Sequence, residues 1–98
     1  MIKHIVCFKL LDNGEDKKQE AKSVLLSMQG NVPTLRGIEV GTDFLNSARS
    51  FDVILQVLLD DRQALDDYQA DEYHCSVVKK YMHAHAEKSV AIDYEVEE

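Results

Sequence analysis

Of the four histidines and four tyrosines in this sequence, three are placed where they could move a proton near neutral pH: His4, Tyr68 and His74. An imidazole titrates close to neutrality, and small changes of surroundings carry it across that range. A phenol can donate a hydrogen bond to a carbonyl oxygen as negative charge develops there. Tyr68 and His74 stand six residues apart, across what reads as a break between two helical segments. His74 opens an apolar stripe with Val77, Val78 and Tyr81, at helical spacings of three, four and seven residues. His4 lies on a strand pattern, with Ile2, Val6, Phe8 and Leu10 on its own face. Both histidines are therefore expected to face the core or a cavity. Should the three groups converge, they could run a reaction without a cofactor: His74 as a neutral base, Tyr68 as holder of an oxyanion, His4 as orienter or proton relay. Enolisation, aldol closure or isomerisation of a keto compound would fit. The plainer reading makes both imidazoles structural, each hydrogen-bonded within the fold.

Positioning these groups falls to a β-α-β-β-α-β succession. Residues 2–10 alternate as a strand. Asp12 or Asn13 is placed to cap a helix in which Ala21, Val24, Leu25 and Met28 recur with helical period, while Lys17, Lys18, Glu20 and Lys22 mostly cover the other side. Gly30 and Pro33 stop it. Strands over about 35–44 and 51–59 follow, joined by a polar turn. Asp60 or Asp61 caps a short helix whose Ala64, Leu65 and Tyr68 share a face, and Asp71 starts the next helix, which runs to about Met82. The last strand covers about 87–96, with Val90, Ile92, Tyr94 and Val96 expected inward. Beyond it the acidic end, Glu95 to Glu98, is expected to be solvated.

The order predicts a ferredoxin-like α+β fold, with both helical regions on one side of a four-stranded antiparallel sheet. The open sheet face would then carry Lys3, Ile5, Cys7, Lys9, Asp52, Ile54, Gln56, Leu58, Ser89 and Ala91. Ile5, Ile54 and Leu58 are unusual on a fully wet face, and the pattern predicts a homodimer packed through it.

At 98 residues the chain is one domain, small enough to gain from assembly. Its net charge of −7, from 11 basic and 18 acidic residues, repels phosphate backbones and anionic lipid, so neither nucleic acid nor membrane is expected as a partner. No apolar run approaches the ~20 residues that span a bilayer, and the N-terminus lacks the pattern of a signal peptide. Cys7 and Cys75 have no C-x-x-C spacing and read as free thiols in a reducing, cytoplasmic setting. His83-Ala84-His85 lies at a helix end, where a spacing of two does not hold both rings on one face, and no further donor set completes a metal site. Asp60-Asp61 and Asp66-Asp67 read as capping and solvated carboxylates.

Three stretches resemble the stress-responsive A/B barrel domain (Dabb) family: Ile2 to Lys9, Val32 to Gly41, and Asp60 to His74, where a histidine follows a tyrosine by six positions. The resemblance covers nearly the whole chain and implies a dimeric α/β barrel. Many members of that family are known only as stress-associated proteins; some plant members are polyketide cyclases that close a poly-β-keto thioester by aldol condensation, without metal or organic cofactor. Their acid–base groups fall, in this sequence, at His4, Tyr68 and His74, and the resemblance implies no cofactor. The family often has His-Pro in the turn before the last histidine; Asp71-Glu72 stands here, which changes the charge at the pocket mouth. The alternatives to catalysis are a non-catalytic binder of a small apolar or aromatic metabolite and a structural stress-associated dimer.

Overall fold

The alternation along the first segment produces β1 (Ile2–Leu10), whose Ile2, His4 and Leu10 are buried on one face. β1 is central: β3 (Val53–Leu59) and β4 (Ala86–Glu95) flank it, and β2 (Gly37–Thr42) lies beyond β3, giving the order β2-β3-β1-β4 with every neighbour antiparallel. The helices are α1 (Glu15–Leu26), α2 (Arg62–Ala70), a π-helical turn (His74–Lys79) and α3 (Lys80–His85). This is the ferredoxin-like α+β arrangement expected from the element order. The computed structural model describes residues 1–97; Glu98, the last residue of the acidic terminus, lies outside the described residues.

The core forms where the apolar stripes of the helices meet one sheet face. Leu25 and Met28 from α1 and its following turn, Val57 and Leu59 from β3, Tyr68 from α2 and Val78 from the π-helical turn are fully buried. Asp61 caps α2, its Oδ1 accepting from Ala64 N at 2.8 Å. Asp71 caps the helical segment that opens at Glu72 and runs on into the π-helical turn, its Oδ2 accepting from His74 N at 2.9 Å. Gly30, at φ 86°, lies within the turns that follow α1, in a conformation that suits a residue without Cβ.

Four expectations are corrected. α1 has Gly14 as its N-cap residue and no side-chain cap; Asp12 Oδ1 instead accepts from Gly14 N at 3.0 Å, closing a local turn that competes with capping. Lys18 is buried: its Nζ donates to Asp43 O at 2.9 Å and Asn46 Oδ1 at 3.1 Å, tying α1 to the β2–β3 loop. Its long stem reaches across apolar surface to carbonyl acceptors, which helical period alone does not reveal. Asp52 is also buried and does not stand free on the open face. The β1–β3 pairing ends at Phe8 and Val53, and the Leu10 N–H just beyond it donates to Asp52 Oδ2 at 2.7 Å.

The fourth correction turns over the last strand. His4 pairs with Asp93, Ile5 with Ile92, Lys3 with Tyr94 and Cys7 with Val90. Ser89, Ala91 and Asp93 therefore lie on the helix side, while Val90, Ile92 and Tyr94 lie on the open face, 53%, 60% and 43% exposed. Val96, just past the strand, is half-buried. A period of two fixes which residues share a face, not which face is covered. Here the inference from hydrophobicity to burial fails because the open face is itself apolar: Ile5, Ile54, Leu58, Val90, Ile92 and Tyr94 lie on it.

Candidate functional site

Between β1 and β4 on one side and α2, the π-helical turn and α3 on the other lies a cavity of about 220 Å³. It exists because β4 carries small or polar residues on its helix side: Ser89 and Ala91 line the space where large side chains would have filled it. The strand face of β1 contributes His4, Val6 and Phe8; α2 contributes Tyr68 and Gln69; the π-helical turn contributes His74, Val78 and Lys79; α3 contributes Met82 and His83.

The structure brings the three sequence-derived candidates together. Tyr68 is fully buried between the two histidines: its ring centroid is 5.5 Å from His4, edge to face, and 4.4 Å from His74, stacked at 29°. The Tyr68 hydroxyl is directed into the core, where it donates to the Met28 thioether at 3.6 Å. Burial pushes the phenol well above its ordinary range, and the nearby Asp71 carboxylate acts in the same direction, so Tyr68 stays protonated.

His74 owes its place to the π-helical turn. An α-helix closes every 3.6 residues, which would have put Val77 beside it, as the sequence reading expected. The wider i→i+5 turn adds a residue. Val77 is swung out, 43% exposed, while Val78 and Met82 are buried and Lys79 and His83 come round to the cavity. The His74 imidazole is held below its ordinary pKa, first by burial, then by the charges of Lys79 and His4; Asp71 and the Tyr68 carbonyl oppose this. Its Nδ1 is buried and has no hydrogen-bond partner of ordinary geometry among the described residues.

His4 has a partner the sequence reading missed. Its Nδ1 is hydrogen-bonded to Oδ1 of Asp93, the residue directly opposite on β4. A carboxylate there accepts the Nδ1 proton and leaves Nε2 as the basic nitrogen of the neutral ring. The available signal is an acidic residue inside an apolar strand; with Val90, Ile92 and Tyr94 expected inward, alternation puts Asp93 on the face away from the helices and hides its link to His4. His83 and His85 part company as their spacing implies: His83 lines the cavity, and His85 stacks on Tyr81 at 4.2 Å. Among the described residues no group of three or more His, Cys, Asp or Glu is arranged to hold a metal ion, and no helix is long and apolar enough to cross a membrane.

The fold has clear relatives. A structure of an Arabidopsis thaliana protein superposes with a TM-score of 0.84 at 17% identity, covering 100% of this chain and 97% of that one. A dimeric ferredoxin-like protein of unknown function from Thermobifida fusca gives 0.83 at 21% identity, covering 97% and 90%. Hydroxynitrile lyase from Passiflora edulis gives 0.82 at 17% identity, covering 99% and 94%. At such identities the likeness shows the fold alone. No curated protein matches the sequence. The sequence pattern of the stress responsive A/B barrel domain (Dabb), however, matches residues 2–96, and with almost its whole length accounted for, the chain belongs to that family.

Proposed function

We propose that the cavity is the site of a cofactor-free acid–base reaction on a small keto compound, a cyclisation or isomerisation, with His4, Tyr68 and His74 as the groups that carry it. The observation behind this reading is the buried ring of Tyr68 between two imidazoles, one of them oriented by a carboxylate. In this scheme neutral His74 removes a proton from the carbon next to the carbonyl, and the C–H electron pair becomes the enolate. The oxyanion is held by a hydrogen-bond donor, for which Tyr68 would exchange its weak bond to Met28 for one to the substrate. The imidazolium so formed on His74 returns the proton to carbon or oxygen, directly or through His4, whose Nε2, left bare by the bond from Nδ1 to Asp93, takes the proton up and passes it on. That a hydroxynitrile lyase is built on this fold makes a lyase outcome compatible with it.

A second reading, a non-catalytic binder of a small apolar metabolite, is favoured by the Tyr68 hydroxyl being already engaged with Met28. Turnover separates the two. His74→Ala and His4→Ala are expected to abolish conversion of simple β-keto acids and thioesters, with stability changed by no more than about 1–2 kcal/mol. Ligand-induced chemical shifts at the cavity without product support the binder; no shift with any compound overturns both.

The same reading has the protein working as a homodimer joined through the apolar open sheet face. Dimeric ferredoxin-like relatives, from Thermobifida fusca and other bacteria, support the dimer itself. A reducing, cytoplasmic location is proposed from the two free thiols, Cys7 and Cys75.

A further inference from the structure

The charges around the cavity are one-sided. The whole chain carries 18 acidic and 11 basic residues, yet the lining holds Lys79, His4, His74 and His83 and no carboxylate. Two carboxylates that touch lining residues are engaged with them: Asp93 with the His4 ring, and Asp71 with the N–H of His74. Among the described residues the ion pairs are His4–Asp93, Arg36–Asp60 and Arg62–Glu95, and Lys79 enters none of them. Its presence at the cavity depends on the π-helical turn, since five residues after His74 an ordinary helix would point it elsewhere. The rest of the lining is mainly aliphatic and aromatic: Val6, Phe8, Leu25, Leu55, Val78 and Met82.

An exposed cation in no ion pair at the edge of an apolar hollow, brought there by an irregular turn, is an arrangement for an amphipathic anion. We propose that the ligand of this site carries a carboxylate on a small apolar or aromatic body, and that Lys79 binds the carboxylate while the body fills the hollow. This rests on the cavity being the ligand site, and it narrows the substrate class from keto compounds in general to those that bear a carboxylate in the ground state. At about 220 Å³ the hollow is smaller than the ~300–1,000 Å³ usual for drug-sized ligands, so a single ring with a short acid chain is the scale to test.

The test is titration of the full chain with 3-phenylpropanoate and with its neutral amide, followed by calorimetry and by chemical shifts of residues at the cavity. The acid is expected to bind at least about ten-fold more tightly than the amide, as charge-assisted hydrogen bonding implies. Lys79→Met is expected to erase that preference without weakening the amide, and Lys79→Arg to keep it. Equal affinity for acid and amide, or a preference that survives Lys79→Met, overturns the assignment to Lys79 and leaves the cavity standing as a site. Failure of both compounds to shift any cavity resonance overturns the cavity reading and this proposal with it.

Discussion

His4 and Asp93 stand directly opposite each other on β1 and β4, joined from Nδ1 to Oδ1. The relationship fixes which nitrogen of His4 carries the proton. Nitrogen-detected NMR is expected to show a single His4 tautomer, protonated at Nδ1, in the native protein. In Asp93→Ala the ring loses its acceptor and both tautomers should appear. If His4 works as acid or base, turnover in that variant falls by on the order of 10²-fold, the low end of what such catalysis contributes. An unchanged tautomer in Asp93→Ala would remove Asp93 from any role in orienting the ring.

The bond from Tyr68 to Met28 sets a second expectation. Tyr68→Phe keeps the ring between the two imidazoles and removes only the hydroxyl. Because the acceptor is a thioether, the stability loss should be about 1 kcal/mol or less in urea denaturation. Tyr68→Ala opens a void in the core and should cost about 3–5 kcal/mol, as other large aromatic truncations do. Turnover then divides the two functional readings: an oxyanion donor predicts a fall of about 10²-fold or more for Tyr68→Phe, whereas a binder predicts ligand affinity within a factor of about two or three, since the apolar lining is intact.

The depressed pKa of His74 has a consequence for stability. Burial lowers the folded-state value below the ordinary ~6.5, so between the two values the unfolded chain binds more protons than the native one. The stabilising contribution of neutral His74 is thus fully present above the ordinary pKa, and it declines as pH falls through that value toward the lower, folded one. The difference in urea midpoint between the native protein and His74→Gln is the measurement, because the other histidines cancel. That difference is expected to move against the native protein as pH is taken from 7.5 to 5, and to be flat above about 7.5. A difference independent of pH would mean that His74 is as easily charged in the fold as in water.

Most of the fold was legible because each element carries its own signal. Strict alternation marked β1 and β3, the pair Asp60-Asp61 and then Asp71 marked helix starts, and the order of elements left little choice of topology. That His4, Tyr68 and His74 each sit on the apolar face of a well-marked element was legible for the same reason; that they meet at one cavity was not, because it depends on how the break between Tyr68 and His74 turns the two rings. What escaped was set by tertiary context. The π-helical turn moved Val77 out and Lys79 in, and no local residue type announces a turn of that width. Asp93 was hidden by the inverted reading of β4, where hydrophobic residues face a sheet surface that the helices do not cover. The burial of Lys18, on the polar side of its helix, and of Asp52, on the open sheet face, was not legible because a buried charge is recognisable only when its acceptors or donors, such as the carbonyl of Asp43 or the N–H of Leu10, are brought to it by other elements.

That inverted strand also yields the clearest test of assembly. Ile5 and Ile92 are register partners across β1 and β4, in the middle of the open face, and Cys7–Val90 and Lys3–Tyr94 flank them. With Ile92 60% exposed in the isolated chain, a charge at that position meets water and should leave the fold intact, so circular dichroism of Ile92→Asp is expected to match that of the native protein. Packed against a second sheet, the same carboxylate would be buried without a partner, at a cost of several kcal/mol. Sedimentation velocity should therefore find the native chain as a dimer at micromolar concentration, and Ile92→Asp with a dissociation constant raised by at least about 30-fold, the loss of one central anchor. A variant that dimerises as tightly as the native protein would show that the chains join elsewhere, and that the apolar open face is covered by something other than its own copy.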